Sequence, residues 1–217
     1  MGTAKGPLCL YAIVPEGDAR AACARIAGLG EVACGPVAAL VGKRWNEAAP
    51  GAALRHDRIV SRIVDSCSSV VPFRFEVDVR SELALHDVLE ANLELLGRQL
   101  VRFRGRVEMG LKVKLSVVPA AERMSAGLEP VRALAPRIED RRERLLSSAT
   151  GQVFDGCYLV PSDDIEEFWS AVKEVRLLFA RSPMLGSGPW AAYSFCDFPL
   201  RAAPVGTRRA AEPMSVR

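Results

Sequence analysis

Between Val107 and Val117 the chain alternates without a break. Val107, Met109, Leu111, Val113, Leu115 and Val117 are apolar, and Glu108, Gly110, Lys112, Lys114 and Ser116 stand between them. A helix brings side chains round every 3.6 residues, so strict period two fits only a strand. It also predicts a strand with two unlike faces, one packed and one meeting water or a partner. Leu8-Cys-Leu-Tyr-Ala-Ile-Val14, ended by Pro15 and Gly17, contrasts with it. A continuous apolar run of that length reads as a strand buried on both faces, central in a sheet covered by helices.

Other segments fill in around these two. Asp18 is placed to cap a short Ala-rich helix that closes near Gly28 and Gly30. Val32 to Val41 reads as a strand pair turning at Gly35-Pro36, and Asn46 to Gly51 as loop. From Leu54 a helical period sets His56, Ile59, Val60, Ile63, Val64 and Cys67 against Arg55, Arg58 and Arg62. That helix stops before Pro72, and Val70 to Val77 reads as a strand. Ser81 caps a helix whose stripe is Leu85, Leu89, Leu93, Leu96, Leu100 and Phe103.

In the second half, Pro119 to Pro130 reads as a linker with helical fragments. Val131 to Ser148 reads as a charged amphipathic helix interrupted by Pro136. Val153 to Val160 reads as a strand ended by Pro161. Asp163 and Glu166 have the spacing of a capping box, before a helix burying Ile165, Phe168, Trp169, Val172 and Phe179. Ser182 to Ser187 is turn-rich. The expected architecture is α+β, with a modified ferredoxin-like domain over residues 1–104 and a compact ferredoxin-like unit over 105–198. A disordered tail is expected over 199–217.

Composition excludes more than it identifies. At 217 residues, 49% hydrophobic and 25% charged, the chain is globular in type rather than disordered. A net charge of +3 is spread through mixed runs such as Arg137-Ile-Glu-Asp-Arg-Arg-Glu-Arg144, which gives little field for a polyanion. No uncharged apolar run approaches the roughly 20 residues of a membrane span. Glu16, Asp18 and Arg20 follow the first apolar run where a leader would be cleaved, so a cytoplasmic protein is expected.

Catalytic templates are missing. The six cysteines form no C-x-x-C pair, and neither phosphate-binding glycine motif nor a G-x-S-x-G elbow occurs. His56 and His86 read as hydrogen-bonded structural histidines. Asp163, Asp164, Glu166 and Glu167 are explained by a helix start rather than by a metal. Arg98, Arg102, Phe103, Arg104 and Arg106 form a basic–aromatic cluster, but the strand aromatics that RNA binding calls for are missing. No cofactor, no metal and no catalytic residue is expected.

Four segments in series resemble the gas vesicle protein F/L family. They are Leu8–Val14; His56 leading into Val71-Pro-Phe-Arg-Phe75; Leu100-Val-Arg-Phe-Arg-Gly-Arg-Val-Glu-Met-Gly-Leu-Lys-Val113; and the pair Phe154-Asp-Gly-Cys-Tyr-Leu-Val-Pro161 and Gly188-Pro-Trp-Ala-Ala-Tyr-Ser-Phe195. Three departures stand out. Glu76 replaces the usual glycine after the R-F pair, Ala191 and Ala192 stand where prolines are usual, and the insert before the F-D-G segment is short.

The resemblance implies a non-enzymatic accessory or minor structural protein of gas vesicles, cytoplasmic or on the vesicle. Its implied partners are the small shell protein and other accessory proteins, with no nucleic acid and no membrane. Candidate partner contacts are Lys112 and Lys114 on the outer strand face, and the aromatics Trp190, Tyr193 and Phe195. Two alternatives stand beside it. One is a tandem ferredoxin-like small-molecule-sensing module, and the other a thiol-dependent enzyme using an exposed Cys34 or Cys196.

Overall fold

The structure, a computed structural model, describes residues 7–43, 50–115, 127–134, 137–148, 151–180 and 182–201. The expected loop over 46–49, the end of the alternation at Ser116 and Val117, most of the linker and the tail beyond 201 lie outside these. The chain divides into a first unit of residues 1–104 with 191–217 and a second of residues 105–190.

In the first unit β1 (Leu8–Pro15) leads into α1 (Glu16–Arg25), the hairpin β2 (Leu29–Cys34) and β3 (Val37–Lys43), and α2 (Pro50–Val64). Two short bridges, β4 (Val71–Pro72) and β5 (Asp78–Val79), precede α3 (Glu82–Ala91) and α4 (Leu93–Phe103). The sheet order is β2-β3-β1-β4, with β5 also beside β1, and every pairing is antiparallel.

One face of this sheet packs Cys9, Tyr11, Ala12, Val14, Ala38 and Leu40 against Ala19 and Ala22 of α1 and Val60 and Ile63 of α2. The opposite side, with Leu10, Ile13, Ala39 and Val41, is buried as well, and α3 and α4 also touch this sheet. The register slips between Leu10 and Ala12, so Tyr11 adds its ring to the same face as its neighbour Ala12. Gly42 makes the room: a Cβ there would lie 2.8 Å from the Tyr11 ring.

The second unit comprises β6 (Arg106–Leu115), α5 (Glu129–Ala133), β7 (Asp140–Ser148), β8 (Gly151–Pro161), α6 (Ile165–Leu178) and β9 (Met184–Trp190). Its sheet runs β7-β8-β6-β9, again antiparallel throughout. Numbered within each unit, both sheets follow strand order 2-3-1-4. The odd residues Val107 to Leu115 pack with Phe154, Tyr158 and Val160 against Val131 of α5 and Phe168, Val172 and Val175 of α6.

Several local expectations are corrected. Residues 140–148 are the edge strand β7 and not the end of a charged helix, because their backbone pairs along β8 from Asp140↔Leu159 to Ser148↔Gly151. The α-helix among the described residues there is the short Glu129–Ala133. The stripe from Leu85 to Phe103 is carried by two helices, broken at Asn92 (φ −125°, ψ 11°). Ser81 does cap α3, accepting the Ala84 N–H at 3.1 Å.

Asp18 caps nothing; its Oδ2 accepts the Ser68 N–H at 2.8 Å and hydroxyl at 2.7 Å, tying α1 to the segment after α2. Asp163 lies in a 3-10 turn, Ser162–Asp164, with no side-chain cap. The Val70–Val77 strand is reduced to its bridges, because the chain turns at Glu76 with φ 76°. That is the conformation where glycine is free and other residues are strained, which accounts for the glycine usual at this position in the family the sequence resembles. Residues 184–187 belong to β9 rather than to a turn.

Residues 191–201 group with the first unit instead of completing the second. Ala191 enters the first core, and Ala192, Phe195, Cys196 and Leu200 are buried. The Asn92 side chain, itself 3% exposed, fixes their end. Its amide donates to the Arg201 carbonyl at 2.9 Å and its oxygen accepts the Arg201 N–H at 2.8 Å.

Candidate functional site

The even positions of β6 lie on the second face of this sheet, which is buried at Glu108 and its partner Leu159 and opens to solvent at Lys112 and Lys114. Antiparallel partners share a face, so registry defines rows across it. One row is Arg144 (β7), Asp155 (β8), Lys112 (β6) and Leu185 (β9). The row beside it carries Leu146, Val153 and Lys114. Trp190 pairs with Glu108 two rows away from Lys112, after a register slip in β9.

Asp155 organises the central row. Its side chain is 6% exposed, yet Arg144 Nη2 lies 2.9 Å from one oxygen and Lys112 Nζ 3.6 Å from the other. A buried carboxylate needs such partners to offset its desolvation. The cations remain 66% and 57% exposed, so the carboxylate holds them from below while their outer sides meet solvent. Lys114 is exposed and makes no ion pair among the described residues. Leu146, Leu185 and Trp190 on this face are exposed at 45%, 62% and 42%.

The floor beneath is tightly packed. A Cβ at Gly156 would sit 2.7 Å from the Tyr158 hydroxyl, so any larger residue in the Phe154-Asp-Gly motif would have to displace that ring. That hydroxyl donates to Glu143 Oε1 at 3.0 Å, and burial, followed by the Glu143 charge, pushes its pKa up.

Lys112, Lys114 and Trp190, expected as contacts, thus share one sheet face. Tyr193 and Phe195 do not join them; they form a 3-10 turn in the first unit. Phe195 is 1% exposed, so its ring is core and offers no partner surface, while Tyr193 is half-buried against the first core. Asp155 and Arg144 were missed. The signal available was an acid set inside an apolar strand, Val153-Phe-Asp-Gly-Cys-Tyr158, but its partners are fixed only by strand register.

The remaining polar groups have structural employment. His56 Nε2 donates to the Phe73 carbonyl at 2.7 Å, and the ring lies 5.0 Å from Tyr11 and 5.9 Å from Phe75 between centroids. It therefore pins the V-P-F-R-F turn, and burial lowers its pKa. Cys34 and Cys196 are buried. Desolvation, then the Glu90 charge, raises the Cys34 thiol, and the Cys196 thiol donates to Ala192 O at 3.2 Å. Cys67 is pushed up to about 12 by burial and then by Asp18. The raised Cys34 and Cys67 thiols are the reverse of the depressed thiol that nucleophilic chemistry uses.

Arg137 pairs with Asp164 at 3.3 Å and Glu167 at 3.9 Å, and no group of acids, histidines and cysteines among the described residues could hold a metal. Phe103 is buried, so the basic–aromatic cluster has no ring to stack on a base. Arg98 and Arg106 are paired with Glu94 and Glu139. A cleft of about 430 Å³ lined by Asn92, Glu94, Arg98, Pro199 and Leu200 brings together no catalytic constellation. No helix among the described residues is long and apolar enough to cross a membrane.

The family model described as gas vesicle synthesis protein GvpL/GvpF matches residues 8–150 and 120–197. The chain belongs to the GvpL/GvpF family. It is similar to gas vesicle protein F2 of Halobacterium salinarum, 24% identical over 159 residues covering 68% of this chain and 69% of the relative. The crystal structure of GvpF from Anabaena shares its fold at a TM-score of 0.68 and 14% identity, covering 95% of this chain and 100% of that one. GvpF from Microcystis aeruginosa gives the same score and identity over 87% and 98%. In this GvpL/GvpF chain the four segments singled out in the sequence are β1, the His56-pinned turn, the α4–β6 junction, and β8 with the end of β9.

Proposed function

We propose that this GvpL/GvpF chain is a non-catalytic accessory protein of the gas vesicle, which binds the small shell protein and supports vesicle nucleation and assembly. Family membership across both units carries the reading. The exposed chemistry supports it: the second sheet offers apolar and cationic side chains on an open face and two sheet edges, β7 and β9. Such surfaces suit a partner that must be held before it polymerises, because edge pairing and apolar contact are the two ways a β-rich subunit self-associates. Lys112, Lys114 and Trp190 are the proposed contact residues, with Tyr193 as a contact contributed by the first unit.

Co-expression with the shell protein tests the reading. Tagged wild-type chain is expected to retain shell protein that an inert tagged control does not. Folded, monodisperse chain that retains none would overturn shell binding.

A further inference from the structure

We infer that the open face of the second sheet docks an acidic amphipathic helix of its protein partner. The inference rests on the assembly reading above and names the chemistry of the segment that is bound. Arg144 and Lys112 pair with the buried carboxylate of Asp155 across three adjacent strands, and Lys114 stands exposed in the next row of the same face, adding a third cation beside that pair. Asp155 satisfies its own burial with two of them but cannot neutralise the set. Charge complementarity therefore asks for carboxylates from outside.

Spacing selects the partner's form. Lys112 and Lys114 are two residues apart on one strand face, about 7 Å, and glutamates at i and i+4 of a helix are separated by about 6 Å. Leu146 and Leu185 flank the cations on the two edge strands and supply the apolar contact that the other stripe of such a helix needs. A nucleic-acid backbone fits less well, since it would leave these leucines facing phosphate. Asp155 is then a positioning residue, fixing two cations that would otherwise lose rotamer freedom on binding.

The test titrates isotope-labelled full-length chain with a synthetic helical peptide carrying glutamate pairs at i and i+4 beside a leucine stripe. Resonance shifts are expected at Lys112, Lys114, Arg144 and Leu185, with affinity falling about tenfold or more between low and moderate salt. Lys112→Glu/Lys114→Glu should weaken binding at least about tenfold and accept the lysine-for-glutamate peptide instead, by charge exchange. Lys114→Glu alone, at an exposed residue with no ion pair among the described residues, serves if the double variant fails to fold. Absence of shifts at millimolar peptide, binding unaffected by Lys114→Glu, or the same residues shifting with a single-stranded RNA and not the peptide would each overturn the inference.

Shell-protein retention separates the two readings. Retention equal in wild type and the charge-reversed variants overturns this surface and leaves the assembly reading standing. No retention by wild type removes the shell reading, and the peptide titration then decides the surface.

Discussion

The two sheets share one strand order and differ in how they are covered. In the first, β1 is buried along nearly its whole length because helical residues pack one face and the other is closed as well. In the second, β6 buries Met109, Leu111 and Val113 and leaves Lys112 and Lys114 in water. Topology is thus indifferent to the number of layers, and the hydrophobic period decides it. A continuous run commits every position to packing, whereas an alternating strand leaves polar positions, here Lys112 and Lys114, that the core does not claim.

The comparison is sharpest where it is most expensive to break. Ile13→Ala is expected to cost about 2–5 kcal/mol by denaturant unfolding, as for any fully buried aliphatic side chain. Gly156→Ala, on the floor of the second sheet, should cost about 1–3 kcal/mol through overpacking against Tyr158. A neutral result would show that the Tyr158 ring moves aside freely.

His56→Gln should cost about 1–3 kcal/mol near pH 7.5, through the lost bond to Phe73 and imperfect packing. The folded pKa of His56 lies below 6.5, so as pH falls through 6.5 the unfolded chain takes up a proton that the native state resists. Wild-type stability then drops, and the gap to His56→Gln should narrow toward pH 5. A gap that stays constant would mean the histidine is protonated as easily when folded.

Glu76→Gly should stabilise by about 0.5 kcal/mol, the relief of a left-handed non-glycine residue less the flexibility that glycine adds to the unfolded chain. Lys114→Ala should change stability by less than about 0.5 kcal/mol. A larger loss there would mean that the open face is part of the fold after all.

What could be read in the sequence followed from how local the cause was. The run in β1 and the alternation in β6 are complete within their own residues. So is the Ser81 cap, whose partner is Ala84. Residues 140–148 failed because an edge strand wet on both faces has no apolar period, and Asp-Arg-Arg-Glu-Arg looks like a helix surface until β8 lies beside it.

The same limit applied to the site. Lys112 was visible as the polar half of an alternation. Its relation to Asp155 and Arg144 exists only through registers joining three strands. Likewise nothing local in Tyr-Ser-Phe-Cys shows that it packs with helices laid down some hundred positions earlier; the Asn92–Arg201 pairing spans 109 residues.

That pairing sets an order of birth. Residues 105–190 are an insertion within the first unit, whose Ala191, Phe195 and Leu200 come after it in the chain. During synthesis the second unit therefore leaves the ribosome entire while the first still lacks part of its core. The second sheet is complete before the unit that carries it is closed.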